Sequence, residues 1–213
     1  MVETVHLAVY DTFSDWETGF ATAHINRELW QREPGEWQVR TVGATTDSVV
    51  SMGGMRVTPD VSLDELSPAD SAMLILPGSA TWEAGALTAF ADKAREFLAA
   101  GVPVAAICGA TFGLASAGLL DGRSHTSNAA EYLAMSGYSG GACFVYEPAV
   151  TDGDLITASG TMPVEFARAI FARLEIFEPH ILDAWYRLYA QNDPAGFFAL
   201  AEYEQSRAAA TTS

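Results

Sequence analysis

Cysteine is scarce in this chain of 213 residues. Cys108 and Cys143 are the only two, and their isolation excludes a disulfide framework. No Cys/His pair has the spacing of a structural zinc site, and His6, His24, His125 and His180 are scattered. Positive charge is scarce too. Eleven Lys and Arg stand against 27 Asp and Glu, a formal net charge of -16, and the basic residues form no stripe or cluster. Such a chain repels phosphate backbones, which argues against nucleic acid and anionic membrane surfaces as partners, although acidity also serves plain solubility. No apolar run approaches a membrane span. Met1-Val2-Glu3-Thr4-Val5-His6 has neither the basic nor the apolar region of a signal peptide. A reduced, cytoplasmic protein with no metal and no cofactor is expected.

What is present is globular: hydrophobic residues make up 49% of the chain and charged residues 18%, enough apolar surface for a full core. Val5–Tyr10 opens as a strand. Ser14 or Asp15 caps a helix running from about Asp15 to Gln31. Trp37–Gly43 alternates as a second strand, and Val49–Val57, broken by Gly53-Gly54, reads as a hairpin. Ala72–Leu76 and Val102–Ile107 are continuous apolar runs, the form of strands buried on both faces. Leu87–Ala100 has helical spacing between them. Val145–Val150 and Leu155–Ala158 flank Asp152-Gly153, a strong hairpin signal, and a helix follows over about Pro163–Glu175. The alternation predicts an α/β three-layer sandwich, a mostly parallel central sheet with helices on both faces, over residues 1–178. Residues 179–213 form a C-terminal helical extension, split at Asn192-Asp193-Pro194 and rich in aromatics, that packs on the domain or on a partner in a homodimer.

The chemistry points to one turn. Val104-Ala105-Ala106-Ile107-Cys108-Gly109-Ala110-Thr111 is a buried strand ending at a cysteine, with small residues opening the next helix. This is the sequence form of a nucleophile elbow, in which helix-start N–H groups lower the thiol pKa and stabilise an oxyanion. The plainer reading is a buried cysteine acting as a small hydrophobe. Leu76-Pro77-Gly78-Ser79 ends a neighbouring strand at the same edge, so the Gly78 N–H is a candidate second oxyanion donor beside Gly109. The loop from Asp11 to Glu17 ends the first strand there as well. Its acids read either as helix N-terminal residues favoured by the dipole or as a carboxyl beside the thiol. Trp16 and Trp82 follow the site loops; core packing suits Trp16, while Trp82 reads equally as a pocket wall. Thr111 bonds near the sulfur or only steadies the helix start. Cys143 has no motif around it.

At these residues the chain resembles the ThiJ/PfpI superfamily, which shares the class I glutamine amidotransferase-like, flavodoxin-like fold. The carrying motifs are Phe13-Ser14-Asp15-Trp16-Glu17, Leu76-Pro77-Gly78, Ala106-Ile107-Cys108-Gly109-Ala110-Thr111, Gly118-Leu119-Leu120-Asp121-Gly122-Arg123 and Ile156-Thr157-Ala158-Ser159-Gly160. That superfamily includes a Parkinson-linked stress protein, peptidase-like proteins, glyoxalases, deglycases and isonitrile hydratases. The resemblance implies that Cys108 is the elbow nucleophile, that Glu17 is the carboxylate near its sulfur, and that Gly78 and Gly109 offer backbone donors. Two departures count against peptidase chemistry. Peptidase-like members carry a histidine directly after the cysteine, where this chain has Gly109. Many others carry one at the position of Asn128, and His125 lies three residues earlier, about 10 Å along an extended segment and on the other face. The expected function is cofactor-independent hydrolase, hydratase or glyoxalase-type chemistry on a small-molecule electrophile. The alternative is a stress protein whose partner is an oxidant and whose Cys108 oxidises without turnover. Asp15, Trp82, Thr111, His125 and Asn128 complete the candidate pocket.

Overall fold

A computed structural model describes residues 2–211; the side chains of 210 and 211, and residues 1, 212 and 213 of the expected N-terminal domain and C-terminal extension, lie outside that description. Among the described residues nine strands and seven α-helices follow in chain order: β1 (Glu3–Ala8), α1 (Asp15–Asn26), β2 (Trp37–Gly43), β3 (Val49–Val50), β4 (Arg56–Val57), β5 (Val61–Ser62), β6 (Met73–Leu76), α2 (Thr88–Ala99), β7 (Val104–Ile107), α3 (Gly109–Ser116), α4 (Ala130–Ala134), β8 (Ala149–Asp152), β9 (Leu155–Ala158), α5 (Pro163–Leu174), α6 (Pro179–Gln191) and α7 (Pro194–Thr211). Seven strands form one sheet in the order β5-β2-β1-β6-β7-β9-β8, and β3 and β4 form a separate hairpin. Every pairing in the large sheet is parallel except β8 with β9. The mostly parallel α/β sandwich read from the sequence is the fold observed. β6, β7 and β9 are buried along their whole length, which is why they are continuous apolar runs rather than alternating ones.

Helices α1 and α5 cover one face of the sheet, and α2 and α3 the other. α6 packs on α5, with Trp185 buried edge-on against Phe20, Phe171 and His24. Leu200 of α7 is buried with it, while Phe197 and Phe198 face outward. No helix among the described residues is long and apolar enough to cross a membrane.

α1 ends at Asn26, five residues before the end the sequence suggested. Arg27 is extended, and the buried Gln31 folds back so that its Nε2 donates to the carbonyls of His24, Ile25 and Arg27 at 3.1, 2.7 and 3.2 Å. A side chain thus caps the orphan carbonyls that another turn of helix would have moved along. β5, for which the sequence pattern offered no strand, is a two-residue edge strand pairing with Val42 and Gly43.

Candidate active site

Parallel strands end at one edge of the sheet, so the loops after β1, β6, β7 and β9 converge. They are tied together by hydrogen bonds. Ser14 N donates to Gly78 O at 2.8 Å, Thr12 Oγ1 and Ser79 Oγ lie 2.8 Å apart, and Cys108 N donates to Ala158 O at 3.0 Å. Within this frame Cys108 adopts φ 58° and ψ -125°, a conformation strained for any residue with a Cβ. The turn is held from the helix side, where the Cys108 carbonyl accepts Thr111 N at 3.0 Å and Thr111 Oγ1 at 2.6 Å. The result is an elbow that lifts the sulfur off the end of β7.

Glu17, in the first turn of α1, is 1% exposed. Its Oε2 accepts the Gly78 N–H at 2.6 Å. Its Oε1 is buried and has no partner in hydrogen-bond geometry. A Cβ on Gly160 would sit 2.7 Å from Cys108 Sγ and 3.1 Å from this Oε1, so sulfur and oxygen face the same narrow space, kept open by a missing side chain. Burial pushes the Glu17 carboxyl up to about 7, against the Gly78 N–H, the Cys108 thiol and Ser14, which pull it down. Burial and the Glu17 charge push the Cys108 thiol up to about 11, while the Asn128 amide and the Gly109 N–H pull it down. The thiol therefore keeps its proton across neutral pH, the reverse of the lowered pKa expected of an elbow cysteine, and Glu17 is the group that titrates there.

Asn128, on the segment before α4, donates from Nδ2 to Cys108 Sγ at 3.3 Å. Its Oδ1 accepts Gly160 N at 2.9 Å and Ser159 Oγ at 3.4 Å. Cys108, Glu17, Gly78, Gly109 and Asn128 thus come together. Four other candidates do not join the sulfur in the way the sequence suggested. His125 is 0% exposed, its Nδ1 on Arg123 O at 2.7 Å and its Nε2 on Tyr138 OH at 3.1 Å, packed edge-on to Phe144. Both ring nitrogens are taken in a separate aromatic cluster, so it supplies no base to Cys108. Asp15 ties down the hairpin, accepting from Ser51 Oγ at 2.5 Å and Gly53 N at 3.0 Å. Trp82 is buried, its Nε1 donating to Tyr10 OH at 3.0 Å and Pro77 O at 3.1 Å, and it braces the loops from behind. Thr111 turns its hydroxyl to Cys108 O and to Ser127 Oγ, 2.6 Å away, rather than to the sulfur.

Two further corrections follow. Trp16 is 51% exposed, outside the core, because it starts α1 on the solvent side of the helix whose other face buries Glu17. The Gly78 N–H is no oxyanion donor, since Glu17 takes it. The next residue, Ser79, has a backbone N–H with no partner among the described residues, and a Cβ on Gly109 would lie 3.2 Å from that nitrogen. Ser79 N and Gly109 N are thus two backbone N–H groups beside the elbow. Sequence reasoning stopped one residue short, and the signal available was the Gly-Ser step itself. No arginine or lysine donates to Cys108, Glu17 or Asn128 among the described residues. Tyr132, which lies within electrostatic reach of Cys108 and Glu17, donates its OH to Glu83 at 2.8 Å and packs on Phe112 of α3.

Comparison with known proteins agrees with this architecture. The family model described as DJ-1/PfpI family matches residues 3–173. A Bacillus subtilis (strain 168) protein named "Uncharacterized protease YoaZ" is 39% identical over 199 residues, covering 92% of this chain and 95% of that protein. The crystal structure of a thiJ/pfpI family protein from Bacillus anthracis superposes with a TM-score of 0.87 at 39% identity, covering 95% of this chain and 97% of that one. DJ-1 superfamily protein Atu0886 from Agrobacterium tumefaciens gives 0.80 at 31% identity, covering 90% and 100%.

Proposed function

The chain belongs to the DJ-1/PfpI family, and from that premise we propose that it is an enzyme whose Cys108 adds to a small electrophile, an aldehyde, a strained carbon–nitrogen bond or an activated amide, using only the chain's own residues. The observation that carries this reading is the buried Glu17 with one free oxygen facing the sulfur. As the carbon–sulfur bond forms, the thiol proton passes to Glu17. The electron pair displaced from a carbonyl carbon settles on its oxygen, beside the Ser79 and Gly109 N–H groups. In an amide Glu17 gives its proton to the nitrogen, the carbon–nitrogen bond breaks as the carbonyl re-forms, and the amine leaves a thioester on Cys108. In an isonitrile the pair stays on the carbon, which takes the Glu17 proton and becomes a thioimidate. In a 2-oxoaldehyde Glu17 protonates the oxygen, then carries the proton of that carbon to the neighbouring carbonyl carbon while the hydroxyl proton moves to the ketone oxygen, and the hemithioacetal becomes a thioester. Water adds to the carbon of the thioester or thioimidate, the carbon–sulfur bond breaks, and the proton released by the water returns to the thiolate. The site lacks the imidazole that would protonate a departing peptide amine, which supports small-molecule chemistry over peptide cleavage. The test is turnover of 2-oxoaldehydes, isonitriles and small amides. At least one is consumed, and Cys108→Ala lowers the rate by about a thousandfold or more; turnover that survives Cys108→Ala overturns the reading.

The same free oxygen favours one other reading. An oxidised Cys108 carrying an O–H finds a ready acceptor in Glu17 Oε1, so the residue serves as a peroxide-responsive site. Intact mass after mild peroxide decides it: oxygen added at Cys108 before Cys143 supports the reading, and oxidation of Cys143 first overturns it.

A further inference from the structure

Asn128 is exposed to solvent, yet its carboxamide is held at both ends. The oxygen Oδ1 accepts from Gly160 N at 2.9 Å and from Ser159 Oγ at 3.4 Å. A backbone N–H only donates, so the amide cannot flip without setting its own NH₂ against another donor. The NH₂ is consequently fixed toward Cys108 Sγ, 3.3 Å away. We propose that Asn128 is a catalytic residue, a locked donor that holds the Cys108 sulfur as the attacking thiolate and, being unable to take up a proton, leaves Glu17 the sole proton carrier at the reacting atom. This deepens the enzymatic reading and rests on it for the word catalytic.

The physical effect is one of balance within the Cys–Glu pair. A donor on sulfur stabilises only the charged sulfur, whose hydrogen bonds are the strong, charge-assisted kind. The Asn128 NH₂, 3.3 Å from Sγ, and the Gly109 N–H both favour the charged sulfur, opposing the burial and the Glu17 charge that hold the proton on it. A histidine in this place can carry the proton itself; an asparagine cannot. The choice of residue therefore converts a position able to do acid–base work into one that only tunes the nucleophile.

Alkylation of Cys108 by iodoacetamide, followed by peptide mass from pH 6 to 10, reads the sulfur without any substrate. Asn128→Ala is expected to slow alkylation at pH 7.5 by about three- to tenfold and to move the rate profile to higher pH. Asn128→Asp keeps an oxygen for Gly160 N but replaces the donor with a negative charge, and is expected to slow alkylation by more than about tenfold. The Asp variant separates the two roles open to this side chain. A residue that merely positions the Gly160 loop is rescued by Asp; a donor to sulfur is made worse by it. Wild-type rates and an unmoved profile in Asn128→Ala, or rescue by Asn128→Asp, overturn the proposal. Urea midpoints measured on the same samples verify folding, and Asn128→Ser replaces either variant should it unfold. Because no substrate is involved, lack of turnover on every compound counts against the enzymatic reading and leaves this result standing.

Discussion

Cys108 and Cys143 are both half-buried, free cysteines in one chain, and they sit in opposite settings. Cys108 is held at positive φ where a buried strand meets a helix, with a carboxyl, a carboxamide and a backbone N–H on its sulfur. Cys143 ends a single 3₁₀ turn, Gly141–Cys143, whose backbone pairs with His125, and no side-chain hydrogen bond reaches its sulfur among the described residues. Exposure does not separate the two. What separates them is the number of polar groups that the fold aims at the sulfur, and those groups come from three separate segments: the first turn of α1, the start of α3 and the stretch before α4. A reactive cysteine is thus a property of the sheet edge rather than of the residue.

The contrast breaks most sharply by exchange. Cys108→Ser is expected to abolish turnover and peroxide sensitivity, whereas Cys143→Ser leaves turnover within about twofold, measured on whichever substrate responds. Gly160→Ala tests the space between the sulfur and the carboxyl. Its Cβ would stand 2.7 Å from Sγ and 3.1 Å from Glu17 Oε1, so the elbow must shift. Cys108 turnover and alkylation are expected to fall by about 10²-fold, with Cys143 alkylation in the same sample unchanged.

The smallest effect is thermodynamic. Folding raises the Glu17 carboxyl from 4.5 to about 7, so between those values the folded chain holds a proton that the unfolded chain has released. The stability associated with the neutral carboxyl is complete below about pH 4.5 and is lost as pH rises through about 7. Glu17→Gln removes that dependence. It is expected to stabilise the protein by about 1–3 kcal/mol at pH 8 and by almost nothing near pH 4.5, read from urea midpoints, while eliminating turnover. A Glu17→Gln variant less stable than the parent at pH 8 contradicts the burial argument.

Much of the frame was legible in the sequence, because burial on both faces leaves continuous apolar runs and the Asp152-Gly153 turn marks the one antiparallel pair of the large sheet. The elbow was legible for the same reason: Val104–Ile107 must be a strand, and small residues must follow a turn that tight. What was hidden depends on side chains arriving from elsewhere. Gln31 ends α1 from five residues past its last turn. Glu17 claims the Gly78 N–H from 61 residues away, and so moves the open backbone donor to Ser79. His125 lies close to Asn128 in sequence, but the aromatic groups Tyr138 and Phe144 that claim its ring belong to a later segment. A linear pattern shows which loops reach an edge. It does not show which of their polar groups remain unpaired once the loops have met.

That no arginine or lysine stands at the sulfur among the described residues has a kinetic consequence. The chain carries a formal net charge of -16, and Arg32, Lys93, Arg168, Arg173 and Arg187 are held in ion pairs away from the elbow. A carboxylate or phosphate drifting toward Cys108 therefore climbs a repulsive potential that a neutral molecule never feels, and added salt flattens that slope over a screening length of about 10 Å at 0.1 M. Selection among reagents begins in the solvent, before any of them touches the protein.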